Sequence, residues 1–206
     1  RRLTGTELVV SDATSISILK QGLRSFHTGA VVYSMRMLEE ADPPALAAML
    51  PELLKHAAPE VRRHALETIA RLRLTSTLPT VKERVSIEAS PEVKGAALRT
   101  LAALGDLGGV HDVLNYLDDP QPSIKVGAIV GLLTSGSAQG VLTASQKLLE
   151  LVNSSHASER ALAAQILGES DPRARESYLQ ILTLLMGDPD LRVRRAALRS
   201  AGRLKS

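Results

Sequence analysis

The 206-residue sequence contains no cysteine and no tryptophan, and its aromatic side chains are three tyrosines and one phenylalanine. The missing cysteine excludes a disulfide scaffold, a thiolate zinc site and a cysteine nucleophile. With so few aromatic residues, the core must be built from aliphatic side chains and alanine, which favours helices over a β-sandwich. No apolar run approaches the ~18 residues that span a bilayer, so we expect no membrane insertion of this segment.

The surplus of positive charge is small, because 25 basic residues stand against 22 acidic ones for a formal net charge of +3. A nucleic-acid-binding surface would require the basic residues to be clustered. The strongest cluster is the C-terminal run of Arg192, Arg194, Arg195, Arg199, Arg203 and Lys205. Two interpretations stay open for this run. It is a solvated helix end whose cations suit the negative pole of the helix dipole, or it is a phosphate-binding surface that lacks interleaved aromatic residues.

The sequence is organised by an internal repeat of 31 to 35 residues. Each copy has an anchor residue, then a small residue four positions later and an apolar residue eight positions later. The six anchors are Ala30, Val61, Val93, Ile124, Glu159 and Val193. At ~100° per residue, these positions share one helical face, and we expect that face to be buried.

Each of these helices is preceded by another segment with helical apolar spacing, and glycine or proline residues separate the segments. Proline at the first helical turn, as in Ser90-Pro91-Glu92, marks several of the starts. The pattern predicts an all-α fold, a right-handed α-solenoid of six helical hairpins in which stacking buries a continuous core. The expected hairpins span residues 14–42, 43–74, 75–105, 106–136, 137–171 and 172–206, after a tail at 1–13 that contains Leu8-Val9-Val10.

The second helices of these hairpins resemble those of HEAT repeats. The resemblance rests on Pro59-Glu60-Val61-Arg62-Arg63-His64-Ala65-Leu66, on Pro91 to Leu98 and on Pro189 to Leu198. The copy at 137–168 departs from it, since Glu159 stands where an aliphatic anchor belongs. A narrower similarity, carried by Val31 to Glu40 and the later repeats, is to the HEAT segments of bacterial proteins related to ATP/ADP translocases. That similarity implies a cytosolic module of a larger membrane protein, in the cytoplasm of a bacterium.

A basic residue follows the anchor in five of the six repeats. These residues are Arg62, Lys94, Lys125, Arg160 and Arg194. A cation at this partly buried position needs a partner. The HEAT resemblance implies a structural ladder, in which each cation reaches an acid in a neighbouring turn, with Asp118, Asp119, Asp188 and Asp190 as candidates. The alternative is a basic stripe that binds phosphates.

The positions two and six residues after each anchor are expected to line the concave surface. The candidate partner-binding residues there are Val32, Arg36, Arg63, Glu67, Arg99, Val126, Val130, Gln165, Arg195 and Arg199. Val126 and Val130 would make the centre of this surface apolar, and charged residues would ring its ends. Such a surface suits a partner helix or peptide. The competing interpretation is an ordinary variable surface with stray valines.

No motif in the sequence indicates catalysis or metal binding. The histidines are scattered, and the His64/Glu67 and His156/Glu159 pairs lie three repeats apart, too far to share one ion. We therefore interpret the histidines as surface residues and Ser154-Ser155-His156 as a capped loop. The sequence predicts a non-catalytic scaffold, without a cofactor, that binds a protein or another domain of its own chain; a nucleic-acid-binding solenoid is the alternative. Since the sequence opens with Arg1 and ends without a polar capping helix, we also expect it to be part of a longer polypeptide.

Overall fold

The computed structural model describes residues 13–105, 107–170 and 175–205, and within these ranges the regular secondary structure is entirely helical. A short 3-10 helix, Thr75–Thr77, precedes the fifth α-helix. The α-helices are α1 (Ala13–Gly22), α2 (Thr28–Ala41), α3 (Pro43–Leu53), α4 (Pro59–Arg71), α5 (Leu78–Ile87), α6 (Pro91–Leu104), α7 (Leu107–Leu114), α8 (Pro122–Thr134), α9 (Ala138–Val152), α10 (Ala157–Glu169), α11 (Arg175–Met186) and α12 (Leu191–Lys205). The expected tail lies outside the described residues, apart from Ala13, which begins α1. In the described ranges, every helix is too short or too polar to cross a bilayer.

The helices form two compact units that divide after Ile69. In the first unit, α1 packs against α2 and α2 packs against α3. In the second unit, the hairpins are α5–α6, α7–α8, α9–α10 and α11–α12, and the second helices α6, α8, α10 and α12 pack side by side in that order. The predicted all-α helical-repeat solenoid is confirmed.

The buried face follows the predicted repeat. The residues four positions after the anchors are all buried; they are Ser34, Ala65, Ala97, Ala128, Ala163 and Ala197. The residues eight positions after the anchors are buried as well, from Leu38 to Ala201. The prediction is wrong at two anchors, since Ala30 is exposed and Glu159 is only half-buried. Burying aliphatic area at these positions is the main favourable contribution to folding.

Glycines set the distance between α6 and α8. A Cβ atom on Gly127 would lie 2.3 Å from the carbonyl oxygen of Gly95, and one on Gly95 would lie 2.4 Å from the carbonyl oxygen of Ser123. Gly131 faces α6 in the same way, with the Arg99 Cα 3.0 Å from its would-be Cβ. The two backbones therefore touch directly, a separation that no larger residue at Gly95 or Gly127 would permit.

The helix starts match the sequence signals. The Ser90 hydroxyl accepts a hydrogen bond from the Val93 N–H at 3.4 Å, directly before Pro91 at the first turn of α6. The Ser137 hydroxyl caps α9 in the same way through the N–H of Gly140 at 3.2 Å. These caps satisfy N–H groups that have no partner inside the helix, and so they fix where α6 and α9 begin.

Candidate functional site

Two of the candidate partner-binding residues do not lie at the surface. Val126 and Val130 are 1% and 4% exposed, so the expected apolar floor is wrong. The physical reason is that α8 packs against α6 on one side and α10 on the other, so less of its surface reaches solvent than the helical pattern alone suggested. Replacing either valine would therefore perturb the core, and not a binding surface.

The other candidates remain accessible to different degrees. In the first unit, Arg36 and Arg63 are exposed, Val32 and Glu67 are half-buried, and Arg63 Nη1 contacts Glu67 Oε1 at 2.6 Å. In the second unit, Gln165, Arg195 and Arg199 are exposed and Arg99 is half-buried. Gln165 and Arg199 are brought together, because both lie on the walls of one groove.

This groove, called here the α10–α12 groove, is open and has a volume of about 490 Å³. Its lining residues are Pro122 at the start of α8, Ser158, Ala161, Leu162 and Gln165 on α10, and Arg192, Ala196, Arg199, Ser200 and Arg203 on α12. Small side chains at Ala161 and Ala196 leave the space open, and three guanidinium groups line the α12 side. A concave surface with convergent polar groups is the usual form of a binding site.

The three arginines of the groove differ in their partners. Arg192 pairs with Asp190 at 2.8 Å, and hydrogen bonds from its guanidinium and its backbone N–H lower the pKa of the Asp190 carboxyl to about 2. Arg203 lies 3.5 Å from Glu169, at the C-terminal end of α10. Arg199 makes no ion pair with any residue that the structure describes. The groove therefore offers one uncommitted guanidinium and two that are shared with acids.

Glu169 joins the groove to α6. Its carboxylate accepts hydrogen bonds from Arg99 Nη2 at 2.5 Å and from Gln165 Nε2 at 3.0 Å, in addition to its contact with Arg203. Glu169 is thus the acid that neutralises the cations at this end of the groove.

Three of the five basic residues after the anchors, Arg62, Arg160 and Arg194, bind the turns of the repeats. Arg160 reaches Asp188 in the next turn, with Nε and Nη2 donating at 2.6 and 3.0 Å, as expected for a ladder. This guanidinium lowers the pKa of Asp188, whose side chain is only 6% exposed. Lys94 behaves differently, since its ammonium lies over the ring of Tyr116 at 5.1 Å from the centroid.

A second contact of these arginines was not anticipated from the sequence. Arg62, Arg160 and Arg194 each donate from Nη1 to the carbonyl oxygens five and six residues earlier, at distances from 2.7 to 3.0 Å. A planar guanidinium can bridge two adjacent carbonyls, which an ammonium does less well. The sequence feature that could have predicted this contact is that three repeats have arginine, and not lysine, after the anchor. Because these three arginines already donate hydrogen bonds to the turns, the alternative of a basic stripe that binds phosphates is disfavoured for them.

The serine and glutamate side chains considered for catalysis take part in hydrogen bonds with nearby residues. The Ser154 hydroxyl donates to Glu159 Oε2 at 2.5 Å, which lowers the pKa of Glu159, and it also accepts from the His156 N–H at 3.0 Å. Ser154 therefore ties the loop before α10 to the first turn of that helix. His64 is buried, so its interpretation as a surface residue is wrong. Among the described residues, no three His, Cys, Asp or Glu side chains are grouped as a metal site requires.

Comparisons with known proteins agree with this geometry. Residues 145–206 match the family model of HEAT repeats. This stretch is therefore similar to HEAT repeats, and the described residues have an all-α helical-repeat fold. Two solved structures share its fold. The complex of CpcE and CpcF of phycocyanin lyase from Nostoc sp. PCC7120 has a chain with 15% identity and a TM-score of 0.58, covering 98% of this chain and 91% of that one. Human deoxyhypusine hydroxylase has 13% identity and a TM-score of 0.50, covering 93% and 96%.

At such low identity, these two structures show the fold alone. No curated protein matches the sequence. The α10–α12 groove lies entirely within the region that matches the HEAT family model, apart from Pro122.

Proposed function

We propose that this chain is a non-catalytic scaffold whose α10–α12 groove binds an acidic segment of a partner protein. The observation that carries the proposal is the set of three arginines, Arg192, Arg199 and Arg203, on one wall of an open groove of about 490 Å³. Arginine guanidinium groups form bidentate hydrogen bonds with carboxylates, and these are stronger than bonds between neutral groups.

The composition of the groove supports a peptide over a small phosphorylated ligand. Its floor is formed by Ala161, Ala196 and the stem of Leu162, and Gln165 can pair with a backbone amide. An extended or helical segment with carboxylates toward α12 and small apolar residues toward α10 would satisfy both walls. Of the two structural neighbours, one is from a complex of two proteins, which is consistent with this role.

The proposal includes a cellular setting. The resemblance of Val31 to Glu40 to HEAT segments of translocase-related bacterial proteins supports a cytoplasmic module of a larger, transporter-like protein. The acidic segment would then belong to a separate protein that this module recruits. Detection of the parent protein in bacterial membranes, with this module accessible to protease only from the cytoplasmic side, would test the setting.

Binding is tested by fluorescence anisotropy of a labelled twelve-residue peptide rich in glutamate, alanine and leucine, added to the whole chain. We expect saturable binding that Arg199→Glu weakens roughly tenfold or more, since a hydrogen bond to a charged group contributes about 1.5–3 kcal/mol. Arg24→Glu is the matched control, because it makes the same charge change at an exposed residue of the first unit. Equal weakening by both variants would reduce the interaction to non-specific charge attraction and contradict the proposal.

The alternative function, nucleic-acid binding through α12, has one supporting observation: Arg195, Arg199 and Arg203 are all exposed. Labelled duplex and single-stranded DNA and RNA are titrated at two salt concentrations in the same assay. Salt-sensitive binding of nucleic acid without binding of the acidic peptide would replace the proposed function by this alternative. If the chain binds neither the acidic peptide nor nucleic acid, both the proposed function and this alternative are excluded.

A further inference from the structure

The α10–α12 groove carries its positive charge on one helix. Its three arginines all lie on α12, and the lining residues that the structure describes include no acid. Arg199 and Arg203 are both exposed and are four residues apart, a spacing that places the Cβ atoms of two helical residues about 5–6 Å apart on one face. Two long guanidinium side chains at this spacing can contact the same group of a ligand.

The cations at this end of the groove outnumber the acid that pairs with them. Arg203 lies 3.5 Å from the Glu169 carboxylate, which Arg99 contacts more closely at 2.5 Å. Arg199 makes no ion pair with any residue in the part of the chain that the structure describes. Three guanidinium groups therefore stand against one carboxylate, which leaves a net charge of +2.

Arg199 occupies a repeat position that stays accessible when another helix packs alongside. Gln165 holds the same position on α10, six residues after the anchor, and is exposed although α12 packs against α10. Arg99 holds it on α6, and its side chain keeps 39% of its exposure beside α8. A further helix packed against α12 in the same way would therefore leave Arg199 open to a ligand.

A net charge of +2 beside one open groove suits a doubly charged ligand group better than a single carboxylate. A phosphate monoester carries a charge of about −1.5 to −2 at pH 7 and has three acceptor oxygens, so it can accept hydrogen bonds from two guanidinium groups at once. A carboxylate carries one charge, and so does each phosphodiester of a nucleic acid. The charge of the groove therefore favours a phosphate monoester over both.

We propose that the groove binds a phosphorylated serine or threonine in the acidic segment of the partner protein, with the phosphate between Arg199 and Arg203. This inference rests on the proposed function and adds the modification that controls it. The small side chains of Ala161 and Ala196 leave space for the modified residue beside the two arginines. An unmodified serine at the same place offers a hydroxyl without charge and leaves Arg199 without a counter-ion.

Glu169 keeps its other partners when the phosphate binds. Its Oε2 atom accepts from Arg99 at 2.5 Å and its Oε1 atom from Gln165 at 3.0 Å, whereas Arg203 is more distant at 3.5 Å. Arg203 can therefore turn to the phosphate while the carboxylate stays paired. This matters because a partly buried charge that loses all its partners would oppose binding.

The test is fluorescence anisotropy with three labelled acidic peptides that differ at one central position, which holds serine, glutamate or phosphoserine. We expect the phosphoserine peptide to bind the whole chain roughly tenfold more tightly than the glutamate peptide, and the serine peptide to bind most weakly. Equal affinity of the phosphoserine and glutamate peptides would overturn this inference and leave the proposed function in place. Failure of all three peptides to bind would overturn both.

Substitutions locate the phosphate on the groove. Arg199→Gln and Arg203→Gln should each reduce the preference for phosphoserine over glutamate to about threefold or less, since each removes one guanidinium from the phosphate. Arg175→Gln is the matched control, because it removes the same charge at an exposed residue of α11 outside the groove, and it should keep the full preference. Circular dichroism confirms that each variant is folded. An equal loss of preference in all three variants would overturn the inference.

Competition separates a phosphorylated segment from free phosphate. Inorganic phosphate is titrated against the bound phosphoserine peptide. We expect displacement only far above the Kd of the peptide, because free phosphate makes no contacts with the α10 side of the groove. Displacement at a concentration comparable to that Kd would make free phosphate the ligand and overturn the assignment to a partner segment.

Discussion

Arg99 and Glu169 are 70 residues apart in the sequence, and Arg99 Nη2 lies 2.5 Å from Glu169 Oε2. The contact joins α6 to α10 past the intervening α8, and the same carboxylate holds Gln165 and lies near Arg203 in the α10–α12 groove. The Glu169 carboxylate therefore competes with the carboxylates of an acidic ligand for the arginines of the groove.

Glu169→Gln should strengthen binding of the acidic peptide. The substitution removes the negative charge beside Arg203 and leaves an amide of nearly the same shape, so we expect a rise in affinity of roughly threefold to tenfold. Anisotropy titration measures the change. Glu83→Gln, at an exposed position on α5, removes the same charge and should leave affinity unchanged. A weaker complex with Glu169→Gln would mean that Glu169 holds the groove in its binding shape.

Arg160→Met should destabilise the chain more than Arg194→Met does. Both substitutions leave two turn carbonyls without their guanidinium donor, but only the first also leaves the buried Asp188 carboxylate without its guanidinium partner. A charge that loses its partner in a buried site costs more than a carbonyl that water can solvate. We expect the thermal midpoint of Arg160→Met to fall by several degrees more, measured by circular dichroism. Equal shifts would show that the Asp188 pair contributes nothing.

Gly127→Ala should destabilise the second unit by about 3 kcal/mol, because the new methyl group would overlap the backbone of Gly95 and force α6 and α8 apart. Gly202→Ala is the matched control within a helix. Its methyl group meets nothing, so the higher helix propensity of alanine should stabilise the chain by ~0.5 kcal/mol. Urea unfolding monitored by circular dichroism gives both free energies. A neutral Gly127→Ala would contradict the close approach of the two helices.

Acid should unfold the α11–α12 turn through Asp188 and Asp190. The folded-state pKa of each carboxyl is lowered, that of Asp190 to about 2 from an ordinary 3.8, so its stabilising effect is complete above 3.8 and is lost as the pH falls toward 2. Asp188→Asn should flatten the dependence of the urea midpoint on pH in that range. If the variant and the parent lose stability in parallel between about pH 4 and pH 2, the Asp188 carboxyl does not carry the acid sensitivity.

Much of the fold could be predicted because the repeat is a local pattern. Ala65, Ala97 and Ala163 are buried where the spacing placed them, since their position on the helix depends only on 3.6 residues per turn. The cap at Ser90 is equally local, because the hydroxyl and the N–H that it accepts from are three residues apart.

The candidate site could be predicted only in part. Gln165 and Arg199 do meet in one groove, but Val126 and Val130 are in the core, and the acid opposite Arg99 was not foreseen. Solvent exposure on a helix depends on how many neighbours it has and how near they lie. For α6 and α8, the glycines at Gly95 and Gly127 set the distance between the two helices. Helical periodicity does not predict that distance.

By itself the sequence determined that the chain is helical, where helices such as α6 begin and which side of each second helix is buried, because backbone hydrogen bonding and apolar spacing act over a few residues. Only the tertiary structure decided which arginines are bound to turns, which share Glu169 and which remain available. Those outcomes depend on side chains from helices far apart in the sequence meeting within hydrogen-bond distance, and such meetings are set by the stacking of the repeats.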